Sequence, residues 1–214
     1  MDYLAILEDH LLFIERFYNT AAEPFETTIR KIETEEEPFV LQQAPEDSDG
    51  SEYQAEWSEA YEGLAVLGSC SLGLLEKALH DYLRELVGAE GGPGPKKPGE
   101  SWFDHHCRFL EDETGFRWAN SPVSRGQIEE INLTRNTFVH DEMLGSTWPL
   151  QMEHHFRKNP VPAFADKLHL AALKGAEGKP DVPVALKVTR ENLTTHIEYV
   201  RQFCTFVEGR RTTW

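Results

Sequence analysis

Residues 57–86 read WSEAYEGLAVLGSCSLGLLEKALHDYLREL, and this stretch says most about the architecture of the chain. Its apolar and small residues recur at alternating steps of three and four, which places them on one face of an α-helix. They are Trp57, Tyr61, Leu64, Gly68, Ser71, Leu75, Ala78, Tyr82 and Glu85 or Leu86. Gly63, Gly68 and Gly73 allow a partner helix to approach closely, although each costs up to about 1 kcal/mol relative to alanine. The stretch therefore predicts one long helix that packs against others.

The segment before it has the same periodicity. Residues 2–33 carry an apolar stripe, and Pro24 predicts a kink within this first helix. The stripe consists of Leu4, Leu7, Leu11, Ile14 and Tyr18. A second long helix is therefore expected at the start of the chain.

The second half of the chain predicts three shorter helices. One covers residues 101–114, and the next starts near Ser124 or Gln127. The last is capped by Thr189 and ends before Gly209. Together these patterns predict a mainly α-helical bundle of about five main helices.

Irregular segments separate these helices without dividing the chain. An acidic loop is expected at about residues 37–52, and a loop rich in glycine and proline at 91–99. Residues 167–188 could pair as a short β-hairpin, although the first half could equally form a helical turn. Neither side of the 91–99 loop has a complete pattern of its own, so residues 1–214 are interpreted as a single domain.

Composition excludes several classes of protein. The chain has 214 residues, of which 40% are hydrophobic, so it can bury a substantial core. It contains no apolar run near the roughly 18 residues that span a bilayer, and its first residues carry acids where a signal peptide carries bases. The three cysteines cannot all pair and lack metal-type spacing. These features predict a cytoplasmic protein with no membrane contact.

The negative charge is concentrated in one segment. The net charge is −16, and twelve acidic residues with no lysine or arginine lie between Lys31 and Lys77. The rest of the chain is then only −4. This acidic segment, residues 33–76, is either a solvated surface or a docking surface for a basic partner such as an antitoxin. It could also keep RNA from binding non-specifically.

The functional signal lies in RNTFVH, residues 135–140, within a helix-like run. Spacing alone carries little weight, because twelve arginines and nine histidines should give an Arg followed five positions later by His roughly 0.5 times by chance. Allowing four to six intervening residues raises the chance count to about 1.5, and this wider window admits a second match, Arg190 to His196, six positions apart. The first match differs in having an amide, Asn136, directly after the arginine, and an apolar helical setting.

Leu133 to His140 resembles the signature of the HEPN superfamily, in which an Arg followed by a polar residue precedes a His near the end of a helix. The resemblance covers about a dozen residues. It implies a helical domain that dimerises and sets the motif of each subunit at the interface. One subgroup of the family has a Tyr two residues after the His, where a nucleotidyltransferase modifies it. This chain has Glu142 there, so that form of control is not expected.

The motif is suited to cleaving RNA without a metal or other cofactor. RNA supplies its own nucleophile, the 2′-hydroxyl, so the enzyme needs a group that moves protons and a cation that stabilises the phosphorane. His140 suits the first role and Arg135 the second. Asn136 would orient the phosphate or the imidazole. The predicted function is thus an endoribonuclease of the toxin, stress-response or antiphage type.

Helix geometry adds a constraint to this prediction. Five residues at about 100° each place His140 roughly 140° around a regular helix from Arg135. Either the helix is distorted there, or two copies of Arg135 and His140 share one cleft across a homodimer.

Three alternatives stay open. Arg135 could form a salt bridge with an acid on a neighbouring helix while His140 caps the helix end. The domain could also be a non-catalytic protein- or nucleotide-binding module. Residues 104–107 and 153–155 contain enough ligands for zinc, but adjacent histidines point to different helix faces, so no metal site is predicted.

Overall fold

The computed structural model describes residues 2–40, 52–92, 94–141, 155, 157–159, 162–166 and 186–211, except for the side chains of 139–141 and 211. Five helices account for most of these residues: α1 (Tyr3–Glu33), α2 (Gln54–Ala89), α3 (Trp102–Glu113), α4 (Arg125–Asp141) and α5 (Arg190–Arg211). A short 3₁₀ turn, Trp118–Asn120, lies between α3 and α4. The predicted fold class, a mainly α-helical bundle of about five main helices, is confirmed.

The first helix begins at a side-chain cap. The carboxylate of Asp2 accepts a hydrogen bond from the backbone N–H of Ala5 at 3.0 Å, which satisfies one of the free donors at the helix start. The helix continues through Pro24 as one element. The predicted stripe is its inner face, where Leu7, Leu11, Ile14 and Tyr18 are buried.

The long second helix is the centre of the bundle. It packs most extensively against α1 and also contacts α3, α4 and α5. A Cβ atom on Gly63 would lie 2.5 Å from the Phe25 ring of α1, and one on Gly68 would lie 2.7 Å from Cβ of Val188. Both glycines therefore permit close packing, as predicted. Gly73 has no neighbour within 4 Å, so its predicted role is wrong.

The core is continuous across the helices. Its fully buried large side chains each contribute about 1.5–3 kcal/mol through removal from water. They are Leu7, Leu11, Ile14, Leu72, Leu75, Leu79, Leu83, Leu86, Phe103, Leu110, Phe164 and Phe203. Tyr18 adds a hydrogen bond between α1 and the residues just before α5: its hydroxyl donates to the carbonyl of Val188 at 3.3 Å.

The last helix is longer than its sequence suggests. Thr189 caps its start as predicted: its hydroxyl accepts from the N–H of Asn192 at 3.3 Å, and Asn192 accepts from the N–H of Thr189 at 2.7 Å. The predicted end before Gly209 is wrong, because the helix reaches Arg211. One glycine costs only about 1 kcal/mol, and Arg210 packs over the Phe206 ring at 5.1 Å.

The segments between helices agree with the loop predictions where they are described. Pro93 lies outside the described residues, and the other residues of the 91–99 loop form no helix. Gly91, Gly92 and Gly99 have positive φ. Of the acidic loop at 37–52, residues 41–51 lie outside the described residues.

The hairpin predicted at 167–188 falls mostly outside the described residues, which include only 186–188 of it. One isolated antiparallel bridge joins Ala165 to Leu186, and the N–H of Lys187 donates to the carbonyl of Phe164 at 2.7 Å. The described part of the chain contains no β-strand.

Candidate active-site groove around Arg135

The motif lies on α4, whose start is fixed by a reciprocal cap. Ser124 accepts from the backbone N–H of Gln127 at 3.3 Å, and the Gln127 side chain accepts from the N–H of Ser124 at 2.9 Å. Ile128 and Ile131 are fully buried and hold the helix against the core. Arg135 follows one turn later and is only partly buried. The guanidinium therefore projects from a helix that is anchored at its other end.

Asn136 is bonded within the helix. Its carbonyl oxygen accepts from Nη1 of Arg135 at 3.0 Å, and its amide nitrogen donates to Oδ1 of Asn132 at 3.1 Å. This chain of three side chains restrains the guanidinium. The bonds of Asn136 are thus to Arg135 and Asn132, and its predicted role toward the phosphate or the imidazole stays a prediction.

Glu76 of α2 is a charged group that feels the charge of Arg135. Burial raises the pKa of the Glu76 carboxyl, and the positive charge of Arg135 is the largest effect in the opposite direction. Among the described residues, however, no carboxylate oxygen lies within 4.0 Å of the Arg135 guanidinium. The salt-bridge alternative is thus not realised there, and Arg135 retains donors for an anion.

Arg135 opens onto a groove of about 760 Å³ between α2 and α4. Phe138 of α4 and Phe17 of α1 contribute apolar walls, and the remainder comes from α2: Ser69, Cys70, Gly73, Leu74, Glu76, Lys77, His80, Asp81 and Arg84. Lys77 pairs with Asp81 at 2.6 Å and Arg84 with Asp81 at 3.4 Å, so Arg135 is the one cation of this described lining without a carboxylate partner. With three cations and two carboxylates, the lining carries a small excess of positive charge in a chain whose net charge is −16.

The backbone of His140 belongs to the last turn of α4, but its side chain lies outside the described residues, as does all of Glu142. The joint site of Arg135 and the His140 imidazole therefore stays a prediction.

A different imidazole, which the sequence analysis missed, lines the groove. His80 of α2 packs against the Trp102 ring at 4.4 Å and lies edge-on to His106 at 5.8 Å. Burial lowers its pKa, while the charge of Asp81 acts in the opposite direction. The available signal was the spacing of Glu76, His80 and Arg84, since residues four apart share one helix face.

The second Arg–His match, on α5, is structural. Arg190 donates to Asn19 at 2.7 Å and to the Glu26 carboxylate at 2.6 Å, so it ties α5 to α1. His196 is only 2% exposed, and its Nδ1 lies 2.7 Å from the carbonyl of Asn192. Burial lowers the pKa of His196, which favours the neutral ring.

This second match borders a larger cleft of about 970 Å³ between α4, α5 and residues 158–166. Its described lining has five carboxylates, Glu26, Glu129, Glu130, Asp166 and Glu191, and three cations, Lys158, Lys187 and Arg190. Each cation already has a partner: Lys158 pairs with Glu129, Arg190 with Glu26, and Lys187 lies over the Tyr61 ring. The cleft is thus a poor site for a polyanion.

A buried network forms one wall of this cleft. Oε1 of Glu130 lies 3.0 Å from Nε2 of His155 and accepts from the backbone N–H of Ala163 at 3.1 Å. Asn159 donates to the other carboxylate oxygen. Burial alone would raise the pKa of Glu130, but the hydrogen bonds from His155, Asn159 and Ala163 outweigh it and lower the pKa. The network joins α4 to the connector before α5.

The side chains considered for zinc have other partners. Asp104 accepts from Ser101 at the α3 cap and from Arg125, and His105 lies 3.2 Å from Glu100. Cys107 is buried, and burial raises the pKa of its thiol. Residues 153 and 154 lie outside the described residues. Within those described, no three such ligands converge to hold a metal ion.

No helix among the described residues combines the length and apolarity needed to cross a membrane. Comparison of the chain with protein-family models, with curated proteins and with solved structures gives no match.

Proposed function

We propose that this chain is a metal-independent endoribonuclease that cleaves RNA in the groove around Arg135. The observation that carries the proposal is the state of Arg135: Asn136 restrains its guanidinium, no described carboxylate pairs with it, and it opens onto the groove. A planar guanidinium matches two phosphate oxygens at once and stays charged throughout the reaction. Lys77 and Arg84 line the same groove, although each already pairs with Asp81.

In the proposed reaction the 2′-hydroxyl attacks the adjacent phosphorus, and Arg135 stabilises the charge that develops on the phosphorane oxygens. His140 moves protons, as the motif predicts. The products are a 2′,3′-cyclic phosphate and a 5′-hydroxyl, so no water enters the cleavage step and no cofactor is required.

A homodimer would bring the two motifs together. Support comes from an exposed apolar surface that borders the groove: Phe13 is 58% exposed and stacks on Phe17 at 6.0 Å. Phe17 and Leu74 also line the groove, and Val66, 61% exposed, lies two turns before Leu74 on α2. Exposed apolar side chains in one patch are typical of surfaces that contact a partner. We therefore infer a second copy of the chain as the partner of this surface.

Cleavage is tested with purified protein and total RNA in the presence of EDTA. We expect cyclic-phosphate ends, and a loss of about 100-fold or more in His140→Ala. Expression of an active toxin-type ribonuclease should also slow bacterial growth, and His140→Ala should restore it. If cells that express the wild type and the variant grow equally and the RNA stays intact, the proposed ribonuclease activity is wrong.

Sharing of the site is tested by mixing two inactive variants. Arg135→Ala and His140→Ala each lack one group, but a mixed dimer contains one complete site if the groups come from different subunits. Random exchange should then restore about a quarter of the wild-type rate. A monomer by light scattering, or no recovery after mixing, contradicts a shared site.

One observation favours a second candidate, a binding module that docks a basic protein on the acidic segment. Glu35, Glu56, Glu59 and Glu62 are exposed, and Trp57 donates to Glu33 at 3.2 Å, which joins the end of α1 to the start of α2. This candidate predicts no RNA cleavage, and a partner whose affinity falls when these glutamates become glutamines.

A further inference from the structure

His80 differs from most other described histidines in its hydrogen bonding. Neither of its ring nitrogens bonds to a described residue, and neither is sealed from solvent. Four other imidazoles, those of His105, His106, His155 and His196, each have a protein partner at hydrogen-bond distance. His80 thus presents an imidazole whose nitrogens are available to a molecule in the groove.

The ring of His80 is nevertheless held in place. Trp102 packs against it at 4.4 Å with the ring planes inclined by 37°, and His106 meets it edge-on. His106 is itself fixed, because its Nδ1 lies 2.7 Å from the carbonyl of Trp102. Side chains from α3 therefore support one side of the imidazole while the groove lies open beside it.

The groove also brings His80 and Arg135 together within one chain. The charge of Arg135 acts on Glu76, and His80 lies four residues after Glu76 on the same face of α2. Both side chains line the same groove.

We propose that His80 is a second catalytic residue of the Arg135 site and acts as the base that activates the 2′-hydroxyl. This inference rests on the proposed ribonuclease function. The hydroxyl proton passes to a ring nitrogen of His80, the O2′–P bond forms, and the P–O5′ bond breaks. The leaving 5′-oxygen takes a proton from the His140 imidazolium. His80 ends protonated and His140 neutral, and exchange with water resets both.

The surroundings of His80 suit a base. The groups around it are Glu76, Lys77, Asp81 and Arg84 on α2, Arg135 on α4, and His106 and Trp102 on α3. Burial lowers its pKa, Asp81 opposes that change, and Arg84 and Lys77 lower the pKa further. The neutral form therefore persists below the ordinary histidine pKa of about 6.5. The cleavage rate should fall only as the pH drops through this lowered pKa.

The test is single-turnover cleavage of a fluorescent single-stranded RNA from pH 4.5 to 9, with wild type, His80→Ala, Arg135→Ala and His10→Ala. His10 is an exposed histidine on α1 outside the groove and serves as the matched control. We expect His80→Ala to lose about 100-fold in rate with little change in KM, and to lose the acidic limb of the profile. Added imidazole should restore part of the rate, which a misfolded variant could not do.

Three results overturn the proposal in different ways. If Arg135→Ala is inactive but His80→Ala keeps the wild-type rate and acidic limb, the role of His80 is wrong and the ribonuclease stands. If His80→Ala is slow but shows no rescue and an unchanged pH profile, His80 only supports the fold. If wild type cleaves no RNA at any pH, both proposals fail.

Discussion

The two Arg–His pairs of this chain have nearly the same spacing, but their arginines lie in different surroundings. On α4, Arg135 has no carboxylate partner among the described residues and opens onto the groove between α2 and α4. On α5, Arg190 is bonded to Glu26 and Asn19, and His196 is buried against Phe164 at 4.4 Å. Arg135 thus keeps donors for an anion, whereas Arg190 joins α5 to α1. Spacing in a sequence therefore says little until the partners of each charge are known.

The two concavities repeat this contrast. The cleft beside α5 is the larger, about 970 Å³ against about 760 Å³, but its described lining has more carboxylates than cations. The Arg135 groove has the reverse balance. The balance of charged residues in the described linings thus separates the two concavities, and size alone would have selected the one with more carboxylates.

The largest expected effect concerns the buried network on the cleft side. If this side is structural, Glu130→Ala should cost about 3–5 kcal/mol of unfolding free energy, because it leaves His155 and the Ala163 N–H without their shared acceptor. Urea denaturation at pH 7 measures this loss.

Glu129→Ala is the matched control for that change. Its carboxylate pairs with Lys158, which is 36% exposed, so its removal should cost about 1 kcal/mol or less. Equal losses in the two variants would mean that the Glu130 network does not hold α4 to the connector.

A smaller effect separates two glycines on α2. Gly68→Ala places a Cβ 2.7 Å from Val188, just before α5, so it should destabilise the fold by about 1–3 kcal/mol. Gly73 lines the Arg135 groove and has no neighbour within 4 Å, so Gly73→Ala should stabilise by up to about 1 kcal/mol. Thermal unfolding of both variants gives the comparison, and a loss in Gly73→Ala would indicate packing on the groove side.

Much of the fold was predictable because apolar residues at helical spacing mark the inner face of each helix. Leu7, Leu11 and Ile14 illustrate this, since the stripe that they form is the buried one. The end of α5 was not predictable from Gly209, because one glycine costs only about 1 kcal/mol and a contact within the helix, Arg210 over the Phe206 ring, spans that position.

The site was predictable only in part. The pattern singled out Arg135 for its adjacent amide, but it could not show that Asn136 binds that cation, and the catalytic role of Arg135 stays a prediction. His80 was missed because helical periodicity predicts on which face of its own helix a residue lies, but it does not predict which other helix packs against that face. Arg135 and His80 are 55 positions apart, and only the packing of α4 on α2 brings them to one groove.

The most direct measurement compares the cleavage rates of Arg135→Ala and Arg190→Ala on the same RNA. We expect Arg135→Ala to lose about 100-fold or more, because it removes the cation that stabilises the phosphorane. Arg190→Ala should stay within about twofold of wild type while losing some thermal stability. Equal rates in the two variants, or a larger loss in Arg190→Ala, would contradict the assignment of the active site to the Arg135 groove.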